Sequence, residues 1–200
     1  MKAPVNIQEI SYLKPDFMGF IFYPKSKRFV HMKTIANQYK KINDKIEKVA
    51  VFVNESAENI HHEIRSYGFD FIQLHGNESP ETIAELKTYG YKIIKAFSVK
   101  DGFDFKISLP YEDLCDYFLF DTATPLYGGS GSKFNWNILS QYQGNTPFLL
   151  SGGIHINDSM EIKKLKHPQL IGVDVNSGFE IEPGLKDIDL LKKFIKEIKE

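Results

Sequence analysis

Seven short apolar runs punctuate the chain, at residues 17–22, 48–53, 69–74, 92–97, 117–120, 147–150 and 171–175. They are rich in Val, Ile and Phe and nearly continuous, the pattern of strands buried on both faces of a parallel sheet. Between them lie segments with helical spacing. Residues 55–67 place Ala57, Ile60, Ile64 and Tyr67 on one side behind Ser56, a natural N-cap. Ser79-Pro80-Glu81 predicts a second helix, with Ser79 as cap and Pro80 in the first turn. Residues 157–165 and 187–198 predict two more, the latter with lysines on its outer face and in its last turn, where they suit the helix dipole.

Strands alternating with helices imply βα units and a parallel sheet. No linker or low-complexity stretch divides the chain, so the expectation is one domain over residues 1–200, of the α/β class, built as a (β/α)₈ TIM barrel. An open doubly wound sheet is the rival, but it usually carries a GxGxxG after its first strand. Here the glycine clusters come late. The chain opens instead on a predicted helix at residues 6–13 with no strand before it. The first β-strand of the barrel is therefore expected to be missing, which leaves two sheet edges that invite association and lower stability.

Composition narrows the function. The 25 basic and 26 acidic side chains leave a net charge of −1. That gives no field to draw in nucleic acid or an acidic membrane surface, so an anionic small molecule must be gripped locally. The lone Cys115 pairs with no second cysteine, and no CxxC suggests zinc. Without a signal-like or membrane-length apolar run, the expected location is cytoplasmic. A length of 200 residues sits at the lower limit for such barrels, about 200.

In these barrels the active site forms at the C-terminal strand ends, with phosphate often on the loops after the last two strands. Nearly every predicted strand ends in a polar or ionisable group: Lys25 to Arg28, Asn54, His75, Asp121, Ser151 and Asp174. Ser151-Gly152-Gly153 and Asn176-Ser177-Gly178 follow the last two strands. Glycines there let amide N–H groups approach an oxyanion, although tight βα turns read the same way. The stretch from Asp121 to Trp136 carries a carboxylate at a strand end and a long loop with Gly128, Gly129, Ser130 and Gly131. Loops of that length are usually functional. A carboxyl group drawn partly out of water favours its protonated form, which suits general-acid work. An Asp that simply caps its own loop is the plainer alternative.

At these residues the chain resembles the phosphoribosylanthranilate isomerases of tryptophan biosynthesis. The matching stretches are GFIFYPKSKRFV, VAVFVN, FIQLHGNES, KAFSV, FLFDT with GGSGSKFNW, LLSGGI and GVDVNSGFEIEPGLKD, in the family's order over nearly the whole chain. The resemblance implies an Amadori rearrangement of N-(5-phosphoribosyl)anthranilate to 1-(2-carboxyphenylamino)-1-deoxyribulose 5-phosphate, with no metal or cofactor and a monomer or homodimer as the working unit. It implies Asp121 as the general acid on the ribose ring oxygen and Arg28 on the anthranilate carboxylate. Backbone amides around Gly152, Gly153, Ser177 and Gly178 would hold the phosphate, and His75 and Asp174 would line the pocket. One departure stands out: the family's general base is a cysteine in a Lys-x-Cys-Gly motif ending its first strand, and no such motif is present. Cys115 precedes a strand at the opposite end and reads as structural. The expectation is a chain that starts at a methionine just past that motif and turns substrate over poorly.

Other features weigh less. His61 and His62 are adjacent on a predicted helix and do not share a face, so they are not read as a metal pair. Trp136 is expected to anchor the segment after the long loop, with Phe134 and Tyr127 within reach of an aromatic substrate, and Lys133 is expected to be solvated. An epimerase of the same fold would show several metal-binding histidines at strand ends, where only His75 stands. A phosphosugar-binding barrel without turnover is the non-enzymatic alternative.

Overall fold

The computed structural model describes residues 1–123 and 133–199. Helix α1 (Pro4–Tyr12) comes first, followed by seven parallel strands: β1 (Phe17–Ile21), β2 (Glu47–Phe52), β3 (Phe71–Leu74), β4 (Lys92–Val99), β5 (Tyr117–Thr122), β6 (Phe148–Leu150) and β7 (Leu170–Val173). Their spatial order is their chain order, β1 to β7, in one curled sheet. Helices α2 (Met32–Tyr39), α3 (Ala57–Ile64), α4 (Pro80–Thr88), α5 (Ser159–Lys164) and α6 (Ile188–Lys199) connect or follow the strands. A short antiparallel hairpin, β8 (Glu180–Glu182) with β9 (Leu185–Lys186), precedes α6.

The caps read from the sequence form as expected. The Ser56 and Ser79 hydroxyls accept from Asn59 N and Thr82 N, at 3.2 and 3.4 Å, and Pro80 opens α4. Two connections differ: 3₁₀ turns, not α-helices, follow β4 (Phe105–Tyr111) and precede Tyr142 (Trp136–Gln141). Pro110 lies inside the first, where its missing N–H and ring disfavour an α-helix. Trp136 is buried in the main core, an anchor as expected.

Successive side chains on each strand alternate between two apolar layers. Met18, Phe20, Ala50, Phe52, Phe118 and Phe120 face the helices in the main core. Val49, Val51, Phe71, Ile94, Leu119 and Leu149 fill the sheet's concave side as a second cluster. Both faces of every central strand are thus covered, which explains why the runs are continuously apolar.

Among the described residues no strand pairs with the outer side of β1 or of β7. The outer edge of β1 is not bare, however. Val30 N–H donates to Ile21 O at 3.0 Å, and the Met1 amine donates to Gly19 O at 3.1 Å. The β7 edge is more open, with Ile171 48% exposed. Among the described residues no helix is long and apolar enough to cross a membrane.

Candidate active site

The alternation that builds the inner layer also builds the site. Counting by twos along the concave face, Phe71 leads to Gln73 and then His75, and Tyr117 through Leu119 to Asp121. Leu149 leads to Ser151, and its register partner Gly172 leads to Asp174. Inward positions are apolar until the strands end and polar at the mouth. The backbone of each group is still pinned to the sheet. His75 N donates to Phe52 O (2.9 Å), Ser151 N to Phe120 O (2.8 Å) and Asp174 N to Leu150 O (2.8 Å). Side chains held this way are better positioned than any on a free loop.

They surround an open-mouthed cavity at the C-terminal end of the strands, a common place for a small-molecule site. Arg28, His75, Asp121 and Asp174 line it, and so do Gly152, Gly153, Ser177 and Gly178. The structure therefore brings these eight residues, singled out from the sequence, around one mouth, whereas Phe134, expected within reach of the substrate, is buried in the main core. Gly128, Gly129, Ser130 and Gly131, with Tyr127, lie outside the described residues.

The His75 ring bridges two partners. Its Nδ1 lies 2.8 Å from Gln73 Nε2 and its Nε2 lies 3.1 Å from Asp121 Oδ2. With the amide donating to Nδ1, the ring's Nε2–H donates to the carboxylate. His75 thus holds Asp121 in place. Asp174 accepts from Ser151 Oγ at 3.1 Å. Burial raises its proton affinity and the neighbouring Asp121 charge raises it further, while Lys186, Ser151 and His75 hold part of the rise back. Two carboxyl groups with different environments therefore share the mouth, an arrangement common where protons are moved.

The rim after β6 and β7 is glycine-built for a geometric reason. Gly152 has φ of +91°, and a Cβ there would run into the Thr122 backbone. A Cβ on Gly178 would meet Ile154 O and the His155 ring, so the two loops touch at that point. A side chain at either position would push the loops apart. The result is a rim of backbone groups suited to an oxyanion.

Several site residues carried no sequence assignment. Glu180 and Lys186 lie in a quoted motif without a role, yet they form a buried network with Arg28 and Asn176. Glu78 and Lys95 form a second network behind the His75 loop. A lysine in the middle of the apolar run KIIKAF was the available signal. Lys133, expected to be solvated, instead pairs with Asp158 and lies 5.0 Å over the Trp136 ring. Cys115 is buried among main-core residues, its thiol pushed up to about 12 by desolvation, with Lys95 and Lys87 opposing. It does not line the cavity. Among the described residues no cluster of three or more His, Cys, Asp or Glu is placed to hold a metal ion.

A curled parallel βα sheet with ionisable groups gathered at its C-terminal mouth defines an enzyme of the (β/α)-barrel class. The family model described as N-(5'phosphoribosyl)anthranilate (PRA) isomerase matches residues 2–197. The N-(5'-phosphoribosyl)anthranilate isomerase of Parabacteroides distasonis is 49% identical over 99% of this chain and 90% of its own length. That of Phocaeicola vulgatus is 45% identical over 100% of this chain and 95% of its own. The crystal structure of phosphoribosyl anthranilate isomerase from Thermotoga maritima superposes with a TM-score of 0.88 at 33% identity, covering 100% of this chain and 95% of that one. A solved phosphoribosyl anthranilate isomerase in complex with reduced 1-(o-carboxyphenylamino)-1-deoxyribulose 5-phosphate is similar too, at a TM-score of 0.83 and 29% identity over 100% and 95% of the two chains. The chain belongs to the N-(5'-phosphoribosyl)anthranilate isomerase family.

Proposed function

We propose that the chain is a phosphoribosylanthranilate isomerase of tryptophan biosynthesis and that its substrate spans the cavity from Arg28 to the β6 and β7 loops. The carrying observation is the joint placement of a carboxyl group, a guanidinium and two glycine loops around one mouth. The phosphate sits against the amides of Gly152, Gly153, Ser177 and Gly178, where backbone N–H groups take an oxyanion without a bulk positive field. The anthranilate carboxylate lies on Arg28, whose planar fork suits it.

Asp121 then stands over the ribose. It gives a proton to the ring oxygen, the C1–O bond breaks, and the lone pair of the anthranilate nitrogen forms the Schiff base. The His75 Nε2–H, bound to Asp121 Oδ2, leaves Oδ1 as the oxygen that carries the proton. Loss of the C2 proton gives the enolamine, which tautomerises to the ketone. The family thiol assigned to that second proton has no counterpart among the described cavity residues. Turnover is therefore expected to fall by about 10²–10⁴-fold relative to an enzyme with a positioned base, with binding intact.

That same observation favours a second reading, a phosphosugar-binding barrel without turnover. Parallel assays separate the two: conversion of N-(5'-phosphoribosyl)anthranilate, and calorimetric binding of the reduced product analogue. Slow turnover that Asp121→Asn abolishes supports the isomerase. Binding with no conversion above background supports the second reading, and absence of both defeats each.

A further inference from the structure

The Arg28 guanidinium is not presented to the cavity on its own. Its Nε and Nη2 grip Glu180, with Nε at 3.0 and 2.9 Å from the two carboxylate oxygens and Nη2 at 2.6 Å from Oε2. The partners are 152 residues apart in sequence. Their side chains are only 11% and 4% exposed. Glu180 Oε1 also accepts from Lys186 Nζ and from Gly184 N, each at 3.1 Å. Lys186 in turn donates to Asn176 O at 3.0 Å and Asn176 Oδ1 at 2.6 Å. Asn176 opens the β7 loop that carries Ser177 and Gly178.

One buried carboxylate therefore touches the machinery for both ends of the substrate. Toward β1 it fixes the Nε–Nη2 edge of Arg28, which leaves the Nη1 side for a substrate carboxylate. Toward β7 it holds the lysine that ties down the glycine loop. Arg28 is on the loop after β1 and the glycine rim follows β7, the two ends of the open sheet. Their separation sets the length of ligand that fits, and the Arg28–Glu180–Lys186–Asn176 chain bridges them.

We propose that Glu180 is a positioning residue that sets the spacing between the carboxylate-binding and phosphate-binding ends of the site, making the cavity selective for a ligand that carries both groups. The proposal rests on the isomerase reading of this cavity. Glu180 touches no substrate in it. Its contribution comes from holding two cations in fixed places, since preorganised donors lose less freedom on binding.

The test is calorimetry on the full chain with two probes: reduced 1-(o-carboxyphenylamino)-1-deoxyribulose 5-phosphate, which carries both anionic groups, and ribose 5-phosphate, which carries only the phosphate. Wild type, Glu180→Gln, Glu180→Asp, Arg28→Ala and the Arg28→Ala/Glu180→Gln double variant are compared. Glu180→Gln is expected to weaken the two-ended probe by about 10-fold or more, the scale of a lost charge-assisted hydrogen bond, at unchanged stoichiometry. The loss for ribose 5-phosphate should be smaller, and Glu180→Asp should recover part of both. In the Arg28→Ala background the further cost of Glu180→Gln should shrink to that seen with ribose 5-phosphate, the mark of coupling through Arg28.

Unchanged or tighter affinity in Glu180→Gln overturns the proposal. So does an equal loss with and without Arg28, or a fall in stoichiometry at constant affinity, which marks a purely structural role. If Glu180→Gln fails to fold, Glu180→Asp decides by the same criteria. Wild type that binds neither probe defeats the isomerase reading itself, a different outcome from a wild type that binds both while Glu180 proves neutral.

Discussion

Two buried charge networks flank this sheet, and they face opposite ways. Lys95 points from β4 toward the helices, its side chain 3% exposed beside Glu78 at 1%. Glu78 accepts from Lys95 Nζ (3.1 Å), Asn54 N (2.8 Å) and Gly76 N (3.0 Å), and Lys95 also caps Gly76 O at 2.7 Å. Burial lowers the Lys95 proton affinity, with Glu78 opposing. The Arg28–Glu180–Lys186 network instead borders the cavity. Similar chemistry serves two purposes. The network behind the sheet satisfies a loop that would otherwise bury unpaired amides, and it stabilises the fold. The network at the mouth keeps cations ready for an anion, and its effect appears in binding.

The largest expected effect breaks the rear network. Glu78→Ala leaves Lys95 buried without its counter-ion, which typically costs about 3–5 kcal/mol. Urea unfolding should show that loss. A loss under about 1 kcal/mol, the range of an exposed pair, would mean the two networks do not differ in kind. Next, Asp121→Asn is expected to lower turnover by about 10²–10⁴-fold while the reduced analogue binds nearly as before, which steady-state kinetics beside calorimetry will show. Third, Arg28→Ala should weaken that analogue by about 10-fold or more and affect ribose 5-phosphate far less.

A smaller effect concerns pH. The Asp174 pKa lies above its ordinary value of 3.8, so the folded chain binds a proton more readily than the unfolded one. Stability then declines as pH rises from below 3.8 through the folded value. Asp174→Asn should remove that decline, leaving a variant more stable than wild type at neutral pH and no more stable in strong acid. Thermal melts across pH test this, and a destabilised variant at neutral pH would contradict it. Smallest of all, the protonated, buried Cys115 should resist alkylation in the native chain and react only on unfolding.

The sequence was most legible where one physical rule governs. Two-sided burial made the strands readable as apolar runs, and period-two alternation carried His75, Asp121 and Asp174 to one mouth. Ser56 and Ser79 capped helices as their chemistry dictates. Legibility failed where distant partners decide. Nothing local to Arg28 announces Glu180, 152 residues on, and nothing local to Lys133 announces Asp158 or the ring of Trp136. The open β1 edge was read as bare, whereas Val30 and Met1 donate to it, because a loop folding back on its own strand leaves no periodic trace.

The most direct test is a crystal structure of this chain with the reduced product analogue bound. The phosphate is predicted within hydrogen-bonding distance of amides in the Gly152–Gly153 and Ser177–Gly178 loops, the aromatic carboxylate on Arg28, and Asp121 against the sugar oxygen that was part of the ring. Phosphate bound elsewhere, or Asp121 turned away from the sugar, would contradict it.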